Sequence, residues 1–390
     1  MHALLTHNDA MPPTATDLVQ THAPTVVLAG GGTGGHVVPA LALADAFRAV
    51  GAQVVFIGTA QGYEATMVPK RGHRLMLVAG SRLVGGGVLT KLRGITNLAK
   101  GIWAARQILQ AERPALVIGV GGYASGATLL AARSLGIATA VHESNAVPGL
   151  TNKVLGRMVG RVYVGFAAAT PSFPQAATRL TGNPVRSEIA AVGPVRQARP
   201  QDRKARVLVL GGSQGSQFLN SEVPGLVQRA QALGADVEVR HQVGKLPGDP
   251  VQAAYAELGI PASVLPFIDD MAGAYAWADV AITRAGSGTV AELAAAALPA
   301  LLVPFPHAAG DHQAANAQAF CHGGAGRWTR QAAWQADELA PWLAELTFGG
   351  AVWQAASAAA RAFALPNAAK AVVHDCGQWL HVAAWSEVSP

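Results

Sequence analysis

Short β-branched apolar runs alternate along this chain with Ala- and Leu-rich stretches of helical periodicity. Thr25–Ala29, Gln53–Gly58, Leu75–Ala79, Ala115–Gly119, Ala138–His142 and Arg161–Val164 have the length and composition of strands. Helical patterns fall between most of them, which predicts a parallel sheet covered by helices on both faces. The pattern then restarts. A polar stretch with one proline, Arg196 to Lys204, reads as a linker, and Ala205–Leu210, Asp236–His241, Ser263–Pro266, Val280–Thr283 and Ala300–Val303 again read as strands. The halves open alike, with Val26-Val27-Leu28-Ala29-Gly30 in one and Val207-Leu208-Val209-Leu210-Gly211 in the other, each a strand entering a glycine-rich turn before a helix. The expected fold is α/β, two Rossmann-like domains facing across a cleft, with ligands beyond the carboxyl ends of the strands. The predicted boundaries are a loose tail over 1–23, a domain over 24–195, the linker 196–204, a second domain over 205–373 and a tail over 374–390.

Composition narrows the class. Of 390 residues, 51% are hydrophobic and 13% charged, which excludes a disordered chain and leaves material for two cores. The net charge of +6 suits an anionic partner. The basic residues are scattered without a Lys/Arg run, so the expectation is a phosphate-bearing substrate or a membrane surface and no nucleic acid. Cys321 and Cys376 show no metal-ligand spacing and read as reduced thiols, and no metal site is expected. Residues 1–23 lack the apolar core of a signal peptide, and no apolar run is long enough to span a bilayer, so any membrane contact is expected to be peripheral.

Four segments carry candidate chemistry. The first is Gly30-Gly31-Gly32-Thr33-Gly34-Gly35-His36, whose backbone N–H groups can approach an anion closely, with a helix starting near Pro39. It satisfies G-x-G-x-x-G, but a dinucleotide site also needs an acidic residue at the end of the second strand, where Phe56-Ile57-Gly58-Thr59-Ala60 has none. His36, at the mouth of this loop, is either an ordinary histidine at a helix start or a general base. The second segment, Gly211-Gly212-Ser213-Gln214-Gly215, fits both a phosphate cradle and the G-x-S-x-G elbow of serine hydrolases. A hydrolase needs an acid and a histidine at later strand ends. Glu292 lies within a helical pattern instead, so the cradle is preferred. The third, Arg284 through Glu292, places small residues at another helix start. Glu292 is suited either to a ribose diol or simply to a helix N-terminus. The fourth, His307 through Ala317, is dense in amides, with Gln313 and Asn316 on one helix face. No D-x-D pair is present, which points to backbone dipoles and Arg for stabilising a diphosphate leaving group.

Taken together, GGGTGGHVVPALALA (30–44), GVGGYASG (119–126), HESNAVPGLTNK (142–153), GNPVR (182–186), LGGSQGS (210–216), HQVGK (241–245), PFIDDM (266–271), RAGSGTVAE (284–292) and PFPHAAGDHQAANA (304–317) resemble the MurG family of undecaprenyl-pyrophosphoryl-muramyl-pentapeptide N-acetylglucosaminyltransferases. They do so in order and over nearly the whole globular chain. The resemblance implies a GT-B fold, UDP-N-acetylglucosamine as donor, lipid I as acceptor, inversion to a β-1,4 linkage and no cofactor. It implies an N-terminal domain that binds acceptor and membrane and a C-terminal domain that binds the UDP sugar, at the cytoplasmic face of the inner membrane. Carried over residue by residue, it makes His36 catalytic and places Thr33, Gly34 and Gly35 beside the donor and the acceptor pyrophosphate. Asn145 and Arg186 would contact the donor, Ser213 its diphosphate, and Ile268 the uracil through backbone groups. Ser287, Gly288, Thr289, Val290, Ala291 and Glu292 would hold diphosphate and ribose, and Gln313 the sugar. The chain departs from the family at Gly80–Gly87, usually more basic, and at Gly310, often acidic. It also departs from His374 onward, where no counterpart can be placed.

An amphipathic stretch, Leu83–Arg106, is the candidate for docking on an anionic inner leaflet. Val88, Leu92, Ile95, Ala99 and Ile102 recur at helical spacing with Leu89 and Trp103 beside them, flanked by Lys91, Arg93 and Lys100. The competing expectation is a helix that covers the sheet.

Overall fold

The structure is a computed structural model that describes residues 23–32, 34–78, 88–197, 202–212 and 214–389, with backbone alone over 88–95. The expectations for residues 1–22, Thr33, the 80–87 segment and Ser213 lie outside the described residues. So do those for the side chains of Val88, Leu89, Lys91, Leu92, Arg93 and Ile95.

Thirteen strands form two parallel sheets among these residues. The first holds β1 (Thr25–Gly30), β2 (Gln53–Gly58), β3 (Arg74–Leu77), β4 (Leu116–Gly121), β5 (Ala138–Glu143), β6 (Arg161–Val164) and β7 (Thr178–Leu180) in the order β3-β2-β1-β4-β5-β6-β7. The second holds β8 (Ala205–Leu210), β9 (Val237–Gln242), β10 (Ala262–Leu265), β11 (Val280–Thr283), β12 (Ala300–Leu302) and β13 (Gly326–Trp328) in the order β10-β9-β8-β11-β12-β13. Both are doubly wound. Strand order reverses between β1 and β4 in one sheet and between β8 and β11 in the other, and a crevice opens there at the carboxyl ends. The central strands are apolar on both faces. Val26, Val27, Leu28 and Ala29 of β1 are wholly buried, as are Val207, Leu208 and Val209 of β8. Full burial is the rule for a parallel sheet clad in helices.

Three details differ from the sequence expectations. The helix after the first glycine loop runs Gly34–Ala49, so it begins five residues before Pro39 and takes His36 into its first turn. Arg196 is no linker residue, since its guanidinium is half-buried and donates to the carbonyls of Ala296 (2.5 Å), Ala278 (2.8 Å) and Tyr275 (2.5 Å). With Ile189 and Val192 in the core that carries β11 and β12, the 187–196 segment belongs structurally with the second sheet. Finally, the stretch from His374 is not a free tail. The helix Ala368–Leu380 and the short helix Ala383–Ser386 return to the first sheet, where Val372, Val373, Cys376 and Trp385 are fully buried beside Phe47 and Tyr163. Asp375 fastens them, accepting from Arg161 (3.0 Å), Arg179 (3.2 Å) and the Tyr163 hydroxyl (2.9 Å).

Candidate active site

The crevice of the first sheet is built by interlocked backbone. Gly31 N–H donates to the Gly121 carbonyl at 3.2 Å. A Cβ at Gly30 would strike that same carbonyl, and one at Gly122 (φ +83°) would strike the carbonyl of Gly31. Glycine is required at these positions because two chain segments pass too closely for any side chain. His36 sits over this junction, its ring packed against the backbone of Gly121. Its Nδ1 lies 3.0 Å from the carbonyl oxygen of Gly31. A carbonyl only accepts, so Nδ1 is the nitrogen that donates, and the neutral tautomer this contact selects has Nε2 as its acceptor, the form a general base requires. Gly34 and Gly35 open the helix that carries His36.

Sequence reasoning missed Glu64. It lies six residues beyond the end of β2, where the search for an acid stopped, yet it is 1% exposed. Its carboxylate accepts from Gly32 N–H (2.7 Å), Thr59 N–H (2.9 Å) and Thr59 Oγ1 (2.9 Å). The Gly32 amide of the first glycine loop is therefore satisfied by the protein's own anion.

In the second half, Gln242 at the end of β9 is the residue sequence reasoning passed over. Its Nε2 donates to the Gly212 carbonyl (3.3 Å) and its Oε1 accepts from Ile268 N–H (3.0 Å), tying the second glycine loop to the segment before the helix Met271–Trp277. The Ile268 N–H, expected to face a uracil, is thus engaged within the protein. The helix Ser287–Ala295 follows β11 with Gly286 at its N-cap and no side-chain cap, so the backbone N–H groups of its first turn have no partner from the helix itself. Ser287 is buried, Gly288, Thr289 and Ala291 are half-buried, and the Val290 side chain belongs to the core. Helix Gly34–Ala49 of the first half lies against this helix, so the His36 loop and the uncapped helix end face one crevice.

Two predicted donor residues meet here. Arg186 donates to Glu292 Oε1 at 3.3 Å, and Tyr275 OH donates to Oε2 at 2.9 Å. Burial pushes the Glu292 carboxyl above its ordinary range, while Arg186 and Tyr275 pull the other way. The Arg186 Nε is buried without a hydrogen-bond partner among the described residues. Asn145 is joined to the second half through Asn316, which is fully buried. Asn316 accepts from Ala146 N–H (2.8 Å) and donates to Asn145 Oδ1 and the Ala285 carbonyl, both at 3.2 Å. Gln313, one turn before it, accepts from Phe305 N–H (2.9 Å) in the loop after β12. Glu143 is saturated by Asn145 N–H and Nδ2, Gly149 N–H and Asn152 Nδ2. It anchors the loop that follows β5. Among the described residues, no group of three His, Cys, Asp or Glu is arranged to hold a metal ion.

Comparison with known proteins agrees with this geometry. Residues 26–164 match the glycosyltransferase family 28 N-terminal domain and residues 206–372 the family 28 C-terminal domain. A UDP-N-acetylglucosamine--N-acetylmuramyl-(pentapeptide) pyrophosphoryl-undecaprenol N-acetylglucosamine transferase of Magnetococcus marinus is 44% identical over 353 residues, covering 89% of this chain and 95% of its own. The enzyme of that name from Chromohalobacter salexigens is 46% identical over 326 residues, covering 82% and 88%. The crystal structure of Acinetobacter baumannii MurG superposes with a TM-score of 0.75 at 31% identity, over 91% of this chain and 99% of that one. A UDP-N-acetylglucosamine 2-epimerase from Listeria monocytogenes, 12% identical with a TM-score of 0.63, shares the fold alone.

Proposed function

The chain belongs to glycosyltransferase family 28 and is an N-acetylglucosaminyltransferase of the MurG kind, and from that premise we propose how its crevice carries the reaction. The enzyme moves N-acetylglucosamine from UDP-N-acetylglucosamine to lipid I, a step of peptidoglycan synthesis. The observation that carries the mechanism is the His36 ring, its Nδ1 held 3.0 Å from the Gly31 carbonyl at the mouth of the crevice, opposite a helix whose first-turn amides are uncapped.

His36 Nε2 takes the proton from the acceptor 4-hydroxyl as its oxygen attacks the anomeric carbon. The C1–O bond to UDP breaks on the opposite face, giving inversion to a β-1,4 linkage. The amides of Ser287, Gly288 and Thr289 receive the departing diphosphate, helped by the positive end of their helix. Thr33, Gly34 and Gly35 border the acceptor pyrophosphate, and Ser213 meets the donor diphosphate. Glu292 accepts from the ribose, keeping Arg186 beside it. A carboxylate has about four lone-pair sites, and only two are taken here. With its N–H engaged by Gln242, Ile268 is left to meet the uracil through its carbonyl. Gln313 and Asn145 contact the sugar.

The acceptor's polyprenyl chain stays in a bilayer, so the enzyme must work at a membrane surface. No helix among the described residues is long and apolar enough to cross one. In the helix Val88–Glu112, Ala105 and Leu109 are buried on the sheet while Trp103 is 65% exposed and Ala99 and Lys100 also face outward. The helix therefore covers the sheet with one face and offers an apolar and basic face for shallow contact with an anionic inner leaflet, at the cytoplasmic side.

The test is release of UDP from UDP-N-acetylglucosamine with and without a short-chain lipid I analogue. UDP should form only with acceptor, together with a β-1,4 disaccharide product. Acceptor-independent formation of UDP would overturn the assignment.

A further inference from the structure

One peptide group in the first glycine loop is held at both ends. Its carbonyl is that of Gly31, which accepts from His36 Nδ1 at 3.0 Å. Its N–H is that of Gly32, which donates to Glu64 Oε2 at 2.7 Å. The Gly31–Gly32 peptide thus connects a buried carboxylate to the imidazole. From this geometry we propose that Glu64 is a positioning residue that acts on His36 through that peptide.

The surroundings are built for a carboxylate. A Cβ at Gly31 or Gly62 would overlap the Glu64 carboxyl group, and one at Gly58 its Cγ. Glycines of the first glycine loop, of the end of β2 and of the connection after it thus leave the space that it fills. Its other oxygen takes both donors of Thr59. No ion pair to Glu64 is formed by the described residues, so its charge is directed along hydrogen bonds and not toward a cation. A charged acceptor at 2.7 Å polarises the peptide and makes the Gly31 carbonyl a stronger acceptor. A stronger acceptor holds Nδ1 as the protonated nitrogen, fixes the ring plane and favours the imidazolium that forms when Nε2 receives a proton. The arrangement does what a carboxylate hydrogen-bonded directly to Nδ1 does in other general bases, with one amide inserted. The insertion lets the carboxylate stay buried behind the loop, away from an acceptor pyrophosphate that a nearer negative charge would repel.

The proposal rests on His36 being the base, and the experiment separates the two. Three enzymes are compared, His36→Ala, Glu64→Gln and the double variant, by kcat and by KM for UDP-N-acetylglucosamine. The His36 tautomer is read by 15N NMR in the wild type and in Glu64→Gln. Glutamine keeps the shape and an oxygen for Gly32 N–H while removing the charge. The expected result is a kcat lower by about tenfold in Glu64→Gln, a KM within about twofold, and a loss of the pure Nδ1-protonated signature. Adding Glu64→Gln to His36→Ala should cost nothing further, because the only route of action is gone. Independent, multiplying losses in the double variant, or a wild-type tautomer in Glu64→Gln, overturn the proposal. If His36→Ala keeps full kcat, the base assignment fails, while the tautomer measurement still decides whether Glu64 governs the ring. Should Glu64→Gln not fold, Thr59→Val serves instead. It strips one donor from Oε1 and leaves the peptide arm, so kcat and tautomer should stay at wild type. A fall in kcat there with the tautomer unchanged would make Glu64 a scaffold for its turn and overturn the proposal.

Discussion

The two halves of the molecule share one plan and furnish it with different side chains. Each sheet winds outward from its first strand, sends that strand into a glycine loop and reverses order at the next. In the first half the Gly32 amide is already taken by Glu64, and the loop presents a basic nitrogen on His36. In the second half the loop after β8 is braced by the neutral amide of Gln242, and the helix after β11 begins without a cap. A glycine loop before a helix is therefore not by itself an anion site. What the neighbouring side chain supplies, a carboxylate or an amide, decides whether backbone donors are consumed inside the protein or left for a ligand.

The sharpest way to break this contrast is at His36. General-base catalysis typically contributes 10²–10⁴-fold, so His36→Ala should lose kcat by about that much while calorimetry finds UDP affinity unchanged. An equal loss of UDP affinity would mean that the base and the donor site are not divided between the halves.

Acid comes next, and here the halves should behave alike. Each buries a histidine within its sheet, His142 in β5 and His241 in β9, and burial lowers both to about 4 from an ordinary 6.5; the first half also buries His73, which burial lowers as well. Between those values the unfolded chain binds protons that the folded chain refuses, so stability falls as pH drops from about 6.5 to about 4, by roughly 3 kcal/mol per histidine. Thermal melts should show this slope, and His241→Gln should flatten it by somewhat less than half, since His142 and His73 still contribute. An unaltered slope in that variant would place the acid sensitivity elsewhere.

Glu292→Ala strips a partner from Arg186 and from a buried tyrosine. Leaving such groups unpaired costs about 1–3 kcal/mol, so UDP should bind about ten- to a hundredfold more weakly. Wild-type affinity would remove Glu292 from the donor site. The smallest effect is expected at Trp103. Trp103→Ser should weaken binding to anionic vesicles by roughly three- to tenfold with an unchanged melting temperature. A lower melting temperature with vesicle binding intact would make that face part of the core.

The sequence pattern anticipated eleven of the thirteen strands, because buried parallel strands are near-continuous apolar runs. The two it missed, Thr178–Leu180 and Gly326–Trp328, are three-residue edge strands carrying an arginine each, too short and too polar to stand out. His36 and Glu292 were legible because they lie beside a glycine loop or at a helix start, and Arg186 through the family resemblance alone. Glu64 and Gln242 were not, and Asn316 stood out only as one of two amides on a helix face. Their importance comes from what they touch across 32, 26 and 170 residues of chain, and no local periodicity records a contact of that range. The returning C-terminal helix was missed for the same reason, since amphipathic spacing says that a helix packs without saying on what.

That returning helix reorders the history of each molecule. Trp385, Val372 and Val373 complete the core around Phe47, so the first half to be translated is the last to be finished. At about 5–20 residues per second, the surface that receives them stays uncovered for on the order of twenty seconds or more after the strands beneath it have left the ribosome. During that interval the second sheet is made and can close on its own core. A ribosome stalled before Ala368 would therefore hold an assembled donor half beside an acceptor half with an open apolar face, a substrate for chaperones or proteases and not a partly active enzyme.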